Sequence, residues 1–342
     1  MGILIWVVVL ALSLYILIKA ADYFTDYAEK LGKILRLPNF IIGLIIVAVG
    51  TSLPELATSV MGVYQGDTEF LTGNVLGTVI VNILLGLGIA VIFTKRKTLF
   101  NWDIVSNDLP FFVAAIFLVV VALSDGYFSA VEALIFLAGY VIYIVYAYLI
   151  QKTEKTEARK ALNKELTKEI TDDLQEQEAQ EKKSHYSFLE KYFGENVKIV
   201  IILVLCLIIV VLSSHYVVEA VMNLAILLGL GTSVLAATAV AIGTSLPEIL
   251  VALSASKRGN FDMVIGNILG SNIFDIFVIY GVAGLIKPLI VAPEMFLILA
   301  TFLIGSFFLL WLVLIDKKIT KTEALMFILI YVMFAGKLFH LF

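Results

Sequence analysis

Long apolar runs separated by short polar connections make up almost the whole chain. Runs near the 17 to 25 residues that a bilayer crossing needs, roughly, fall at 2–20, 39–64, 70–93, 108–124, 128–150, 197–219, 232–256, 263–286, 293–315 and 322–341. The pattern predicts ten transmembrane helices, five on either side of one hydrophilic stretch at 151–196. An all-α polytopic membrane protein is therefore expected. The first run, Ile3 to Ile18, has no basic residue before it and leads directly into Lys19 and Asp22, so it reads as a retained helix and not a cleaved leader.

Polar positions inside the runs are few, and they repeat. Ala48-Val49-Gly50-Thr51-Ser52-Leu53-Pro54-Glu55 returns as Ala241-Ile242-Gly243-Thr244-Ser245-Leu246-Pro247-Glu248, identical at seven of eight positions. One offset of 193 residues aligns Asp26 with Glu219, Gly73-Asn74 with Gly266-Asn267, and Asn82 with Asp275. Chance likeness between apolar helices does not produce such a polar register. The expected organisation is a first five-helix repeat at 1–150 with its motif at 48–82, a polar linker at 151–196, and a second repeat at 197–342 with its motif at 241–275.

Charge then orients the runs. Lys and Arg concentrate in connections 1–2 (Lys30, Lys33, Arg36), 3–4 (Lys95, Arg96, Lys97), 5–6, 7–8 (Lys257, Arg258) and 9–10 (Lys317, Lys318, Lys321), whereas the alternate connections hold Lys287. By the positive-inside rule both termini lie outside and the linker is cytoplasmic. Five crossings per half make the second repeat inverted relative to the first, as in many secondary transporters. The linker reads as a solvated helix or disordered segment, with Tyr186 to Phe193 a candidate amphipathic stretch on the inner membrane face.

Composition narrows the function. At 61% hydrophobic residues and a mean hydropathy of +1.01, soluble classes are excluded. A single cysteine, Cys206, rules out an internal disulfide and cysteine metal clusters, and the three histidines are scattered. No catalytic pair accompanies Ser52 or Ser245 in the apolar runs, so an enzyme is not expected, nor a cofactor or a nucleic-acid partner. No obligate protein partner is evident. A cation channel would need a continuous polar path that runs 4, 5, 9 and 10 do not offer.

What remains is a midmembrane ion site. Pro54 has no amide hydrogen and disfavours helical geometry before it, so a helix break is expected at Gly50–Pro54, freeing carbonyls around Ala48 and Thr51. The Thr51 and Ser52 hydroxyls would add oxygens next to Glu55, and Ala241, Thr244, Ser245 and Glu248 repeat the arrangement. Asn74, Thr78 and Asn82 form an i, i+4, i+8 stripe matched by Asn267, Ser271 and Asp275. Three carboxylates, an amide, hydroxyls and carbonyls make an all-oxygen set suited to Ca²⁺ or Na⁺.

These residues closely resemble the Ca²⁺/cation antiporter superfamily, specifically its prokaryotic sodium/calcium exchanger branch, whose α1 and α2 repeats the two Gly-Thr-Ser-Leu-Pro-Glu elements look like. The resemblance implies an antiporter that exchanges Ca²⁺ for Na⁺ in a prokaryotic plasma membrane. It further implies calcium coordination by Glu55 and Glu248 with backbone oxygens of Thr51 and Thr244. Sodium sites would use Ala48, Ser52, Thr78, Ala241, Ser245, Ser271 and Asp275, with Asn82 lining the centre. Thr78 departs from the serine usual in the family and adds a methyl. H⁺/Ca²⁺ exchange and K⁺-dependent Na⁺/Ca²⁺ exchange stand as alternatives, since K⁺-dependent relatives also have an acidic residue like Asp275.

Overall fold

The computed structural model describes residues 2–35, 37–66, 68–94, 98–99, 108–169, 181–227, 243 and 245–338. The chain is an all-helical integral membrane protein. Seven helices among the described residues are long and apolar enough to cross a membrane. Leu109–Leu123 is a shorter apolar helix, and Lys321–Leu338 carries Lys321, Glu323 and Lys337. The first part of the expected seventh crossing, 232–242, lies outside the described residues.

Helix α1 spans Gly2–Leu35, well beyond the expected crossing, because its apolar pattern continues on one face after Lys19. The second crossing is segmented into α2 (Asn39–Ile41), a π-helical stretch (Ile42–Val47), α3 (Ala48–Thr51) and α4 (Leu53–Gln65). The third comprises α5 (Thr68–Val81), a π stretch (Asn82–Gly86) and α6 (Leu87–Phe93). Then follow α7 (Leu109–Leu123), α8 (Ala130–Glu169) and α9 (Glu181–Leu227), the last two running into the hydrophilic stretch. Residues Tyr186 to Phe193 fall within α9.

The second half repeats the segmentation. Helix α10 (Leu246–Arg258) matches α4, α11 (Phe261–Phe274) matches α5, the π stretch Asp275–Ile279 matches Asn82–Gly86, and α12 (Tyr280–Ile286) matches α6. Each lies 193 residues from its counterpart. Helices α13 (Pro293–Ile315) and α14 (Lys321–Leu338) complete the chain. Prolines in the first turns of α4 and α10 occupy positions where a missing N–H costs nothing. Gly66 and Gly259 end the same helices at φ 92° and 81°, a left-handed conformation that side chains disfavour.

Packing exchanges the halves in the same manner. Helix α10 lies on α6 while α4 lies on α12, and α14 packs on α6 while α8 packs on α12. Strand β1 (Tyr127–Phe128) pairs antiparallel with β2 (Leu289–Ile290), joining connections 4–5 and 8–9. Leu99 bridges Lys318, and Thr98 bonds to Ile319 through backbone and hydroxyl, joining connections 3–4 and 9–10. Sequence repetition is thus matched by repeated geometry.

One large core holds the chain together, with a smaller one, Leu17, Ala20, Val210 and Val217, between α1 and α9. Helix α11 lies directly on the second crossing: a Cβ on Gly266 would strike the Phe40 carbonyl, and one on Gly270 would strike Leu44 backbone and come 2.8 Å from the Ala48 Cβ. Alanine at Gly270 is therefore expected to cost about 1–3 kcal/mol through overpacking. Alanine at Gly305, where a Cβ meets no described atom within 4 Å, should stay within about 0.5 kcal/mol of the parent. Thermal unfolding of the purified proteins in detergent measures both.

Candidate functional site

In the first half the doubled motif places one residue, Ser52, between two helical ladders, and Ser245 stands at the matching place before α10. Ser52 has φ −84° and ψ 1°, and Ser245 has φ −81° and ψ −1°. The Ser52 N–H closes the first ladder on Ala48 at 3.0 Å, and the Leu56 N–H opens the next on Ser52 at 3.1 Å. Pro54 offers no N–H to Gly50. The Thr51 carbonyl lies in this seam, but the Ala48 carbonyl does not. The expected freed carbonyl at Ala48 is therefore corrected: the break is a single residue wide, and both the Ser52 N–H and the Thr51 hydroxyl, at 3.3 Å, reach that oxygen.

Restarting the helix at Leu53 and Leu246 puts Glu55 and Glu248 in first turns, where exposed N–H groups and the helix dipole favour negative charge. Both are buried, at 0% and 2% exposure, and Asp275 is buried at 0%. Like charges buried in a low dielectric repel one another strongly. Among the described residues, however, no three carboxylate, histidine or cysteine side chains cluster into a metal site of their own. A cation placed here would need amide, hydroxyl and carbonyl oxygens as further ligands.

Those oxygens surround the carboxylates. The Ser52 hydroxyl donates to Glu248 Oε1 at 3.5 Å, so it serves the carboxylate of the opposite half and not neighbouring Glu55. The Thr51 hydroxyl turns back to the Val47 and Ala48 carbonyls, at 3.2 and 3.3 Å, because a threonine late in a helical turn reaches the preceding carbonyls most easily. Each hydroxyl thus points its proton away from Glu55 and keeps lone-pair capacity of its own. Ser245 donates to Thr78 at 3.3 Å, and Asn82 Nδ2 donates to Ser271 at 3.4 Å and to Asn272 Oδ1 at 3.2 Å.

Glu55, Glu248, Thr51, Ala48, Ser52, Thr78, Asn82, Ser245, Ser271 and Asp275 are all buried around this seam. Ala241 and Thr244 lie outside the described residues. Both oxygens of Glu55, both of Asp275, Glu248 Oε2 and Asn82 Oδ1 are buried acceptors that no donor among the described residues satisfies. Such atoms carry a large cost unless a cation or proton meets them. This donor set consists of oxygens alone, a chemistry that suits hard cations.

Two residues enter that the sequence pattern passed over. Asn272 holds the Asn82 amide, and Ser59 accepts from Asn74 Nδ2 at 3.1 Å. Their counterparts at the 193-residue offset are Val79 and Ala252, so a search for positions shared by both halves misses them. Asn267 donates to the Glu248 carbonyl at 3.4 Å, bracing the restarted helix. The π stretches begin at Asn82 and Asp275, where an extra residue in the turn redirects the stripe's last side chain.

The family model for sodium/calcium exchanger protein matches residues 5–149 and 198–339. The sodium/calcium exchanger MaX1 of Methanosarcina acetivorans is 33% identical over 370 aligned positions, which cover 97% of this chain and 98% of MaX1. The inner membrane protein YrbG of Escherichia coli is 28% identical over 82% of this chain and 79% of its own. A solved structure of the sodium-calcium exchanger NCX_Mj superposes with a TM-score of 0.75 at 26% identity, covering 97% of this chain and 98% of that one.

The Asn82–Asn272 bond gives a direct test of the site's internal bracing. Asn272→Leu removes an acceptor from a buried amide and should destabilise the protein by about 1–3 kcal/mol. Thermal unfolding in detergent reads this cost.

Proposed function

The chain belongs to the sodium/calcium exchanger protein family and is a membrane transporter, not an enzyme; from this we propose that it exchanges Ca²⁺ for Na⁺ by alternating access. The observation that carries the reading is the set of buried acceptors without donors on Glu55, Glu248, Asp275 and Asn82, gathered between two repeated helix breaks. Ionised and bare, three such carboxylates oppose burial in lipid. Ca²⁺, or a set of Na⁺ ions, neutralises them and lets the occupied site cross.

Glu55 and Glu248 take the calcium role, with the Thr51 carbonyl and its counterpart at Thr244 beside them. The sodium role falls to Ser52, Thr78, Ser245, Ser271 and Asp275, with the Ala48 and Ala241 carbonyls, and Asn82 lines the centre. The Ala48 carbonyl already accepts from the Ser52 N–H and shares the Thr51 hydroxyl with Val47, so it takes part once that hydroxyl turns to Val47 alone. The exchanged packing of the two halves supports an inverted repeat, and the basic connections support external termini and a cytoplasmic 151–196 linker. A prokaryotic plasma membrane is the proposed location.

Helices α1 and α9 are the proposed moving pair, since they pack chiefly on each other through their own small core. In proteoliposomes, Ca²⁺ uptake should follow an outward Na⁺ gradient without added K⁺. Glu55→Gln and Glu248→Gln should each reduce flux to background while the proteins stay folded. Near-normal flux in both variants would remove these residues from the site. Uptake driven equally well by a proton gradient would overturn Na⁺ coupling in favour of H⁺/Ca²⁺ exchange, and an absolute need for K⁺ would indicate the K⁺-dependent type.

A further inference from the structure

The inner half of α1 carries Asp22, Asp26 and Glu29 at i, i+4 and i+7, one stripe of a helix. Each meets the end of α10 or the residue just beyond it. Ser254 donates to Asp22 Oδ1 at 2.7 Å, Arg258 donates to Asp26 Oδ1 at 2.9 Å and to the Asp22 carbonyl at 2.7 Å, and Asn260 donates to Glu29 Oε1 at 3.0 Å. Lys30 holds Asp26 from its other side at 2.6 Å. The two helices do not close as apolar surfaces here, because a cavity of about 50 Å³ remains between Ile18, Asp22, Leu250, Leu253, Ser254 and Lys257.

Among the described residues, the opposite end of the molecule shows no such clasp. At the 193-residue offset, Asp22 and Asp26 become His215 and Glu219 on α9, while Ser254, Lys257 and Arg258 become Met61, Tyr64 and Gln65 on α4. Met61 and Tyr64 are exposed. Among the described residues α9 makes no contact with α4 comparable to that of α1 with α10.

We propose that the Asp22–Asp26–Glu29 stripe of α1 and the Ser254–Arg258–Asn260 end of α10 form a polar latch that shuts one of two access paths and favours the state open at the other end. The idea rests on the alternating-access reading. An interface made of hydrogen bonds and a partly exposed ion pair, with a gap behind it, opens without uncovering a large apolar surface. Its strength is modest, which suits a contact broken in every cycle.

The test reads accessibility, not flux, so a failure of Na⁺-coupled exchange leaves it interpretable. In a Cys206→Ala background, Leu250→Cys reports the path behind the latch and Met61→Cys reports the opposite end. Labelling by a membrane-impermeant maleimide is measured from each face of the vesicles. Arg258→Gln, and more so Arg258→Gln with Ser254→Ala, should speed labelling at position 250 by roughly two- to five-fold and slow it at position 61. Arg258→Lys should stay nearer the parent, and Ser254→Ala alone provides a mild variant if the pair folds poorly. Unchanged labelling at both reporters in the folded variants overturns the latch.

Discussion

Glu55, Glu248 and Asp275 bring three carboxylates into the interior of a membrane protein, and most of their oxygens meet no donor among the described residues. In a low dielectric that arrangement is affordable only when positive charge arrives from outside. Much of the surrounding structure reads as a response to this constraint. Both glutamates start a helix, where the dipole lowers the cost of their charge. Ser52 reaches across to Glu248, so the two halves are joined at the charged centre. Close contact of α11 with the second crossing, at Gly266 and Gly270, removes bulk that would push Asp275 away from the seam.

The same constraint explains why α1 and α9 stand apart. A site that must hold several ligand atoms in register needs a rigid frame, supplied by the segments around α4, α5, α10 and α11 and their shared core. Access to it must nevertheless change. A helix pair with its own small core can shift against the frame without taking the ligands along. Its weakest apolar contact with α10 is bridged by polar bonds, which water can replace in turn.

The helix-rich membrane fold, the repeat and the central carboxylates were legible in the chain because they rest on patterns with few competing causes. A proline after Gly-Thr-Ser inside an apolar run has little meaning except as a break, and a polar stripe at i, i+4, i+8 marks one face. The width of the break was not legible. Whether Ala48 keeps its partner depends on how the backbone relaxes before Pro54, and here the Ser52 N–H stays aligned on it. Likewise Asn272 and Ser59 acquire partners only through contacts between crossings. The length of α1 is a further case: charges at Lys19 and Asp22 mark where lipid contact ends, not where the helix does.

Departures from symmetry carry their own information. If the halves were identical and related by a two-fold axis in the membrane plane, the inward-open and outward-open states would superimpose and have equal energy. Each unmatched residue therefore biases that equilibrium or specialises the site. Asn82 opposite Asp275 does the second: it fixes the carboxylate count at three and gives one half an amide, whose Nδ2 already serves Ser271 and Asn272. The α1–α10 clasp does the first, because its counterpart positions hold Met61, Tyr64 and Gln65. A partly exposed ion pair contributes about 0.2–1 kcal/mol, and tenfold in population corresponds to about 1.4 kcal/mol. The clasp can thus set a resting preference while leaving the other state populated, and cation occupancy of the carboxylates remains the larger lever on the cycle.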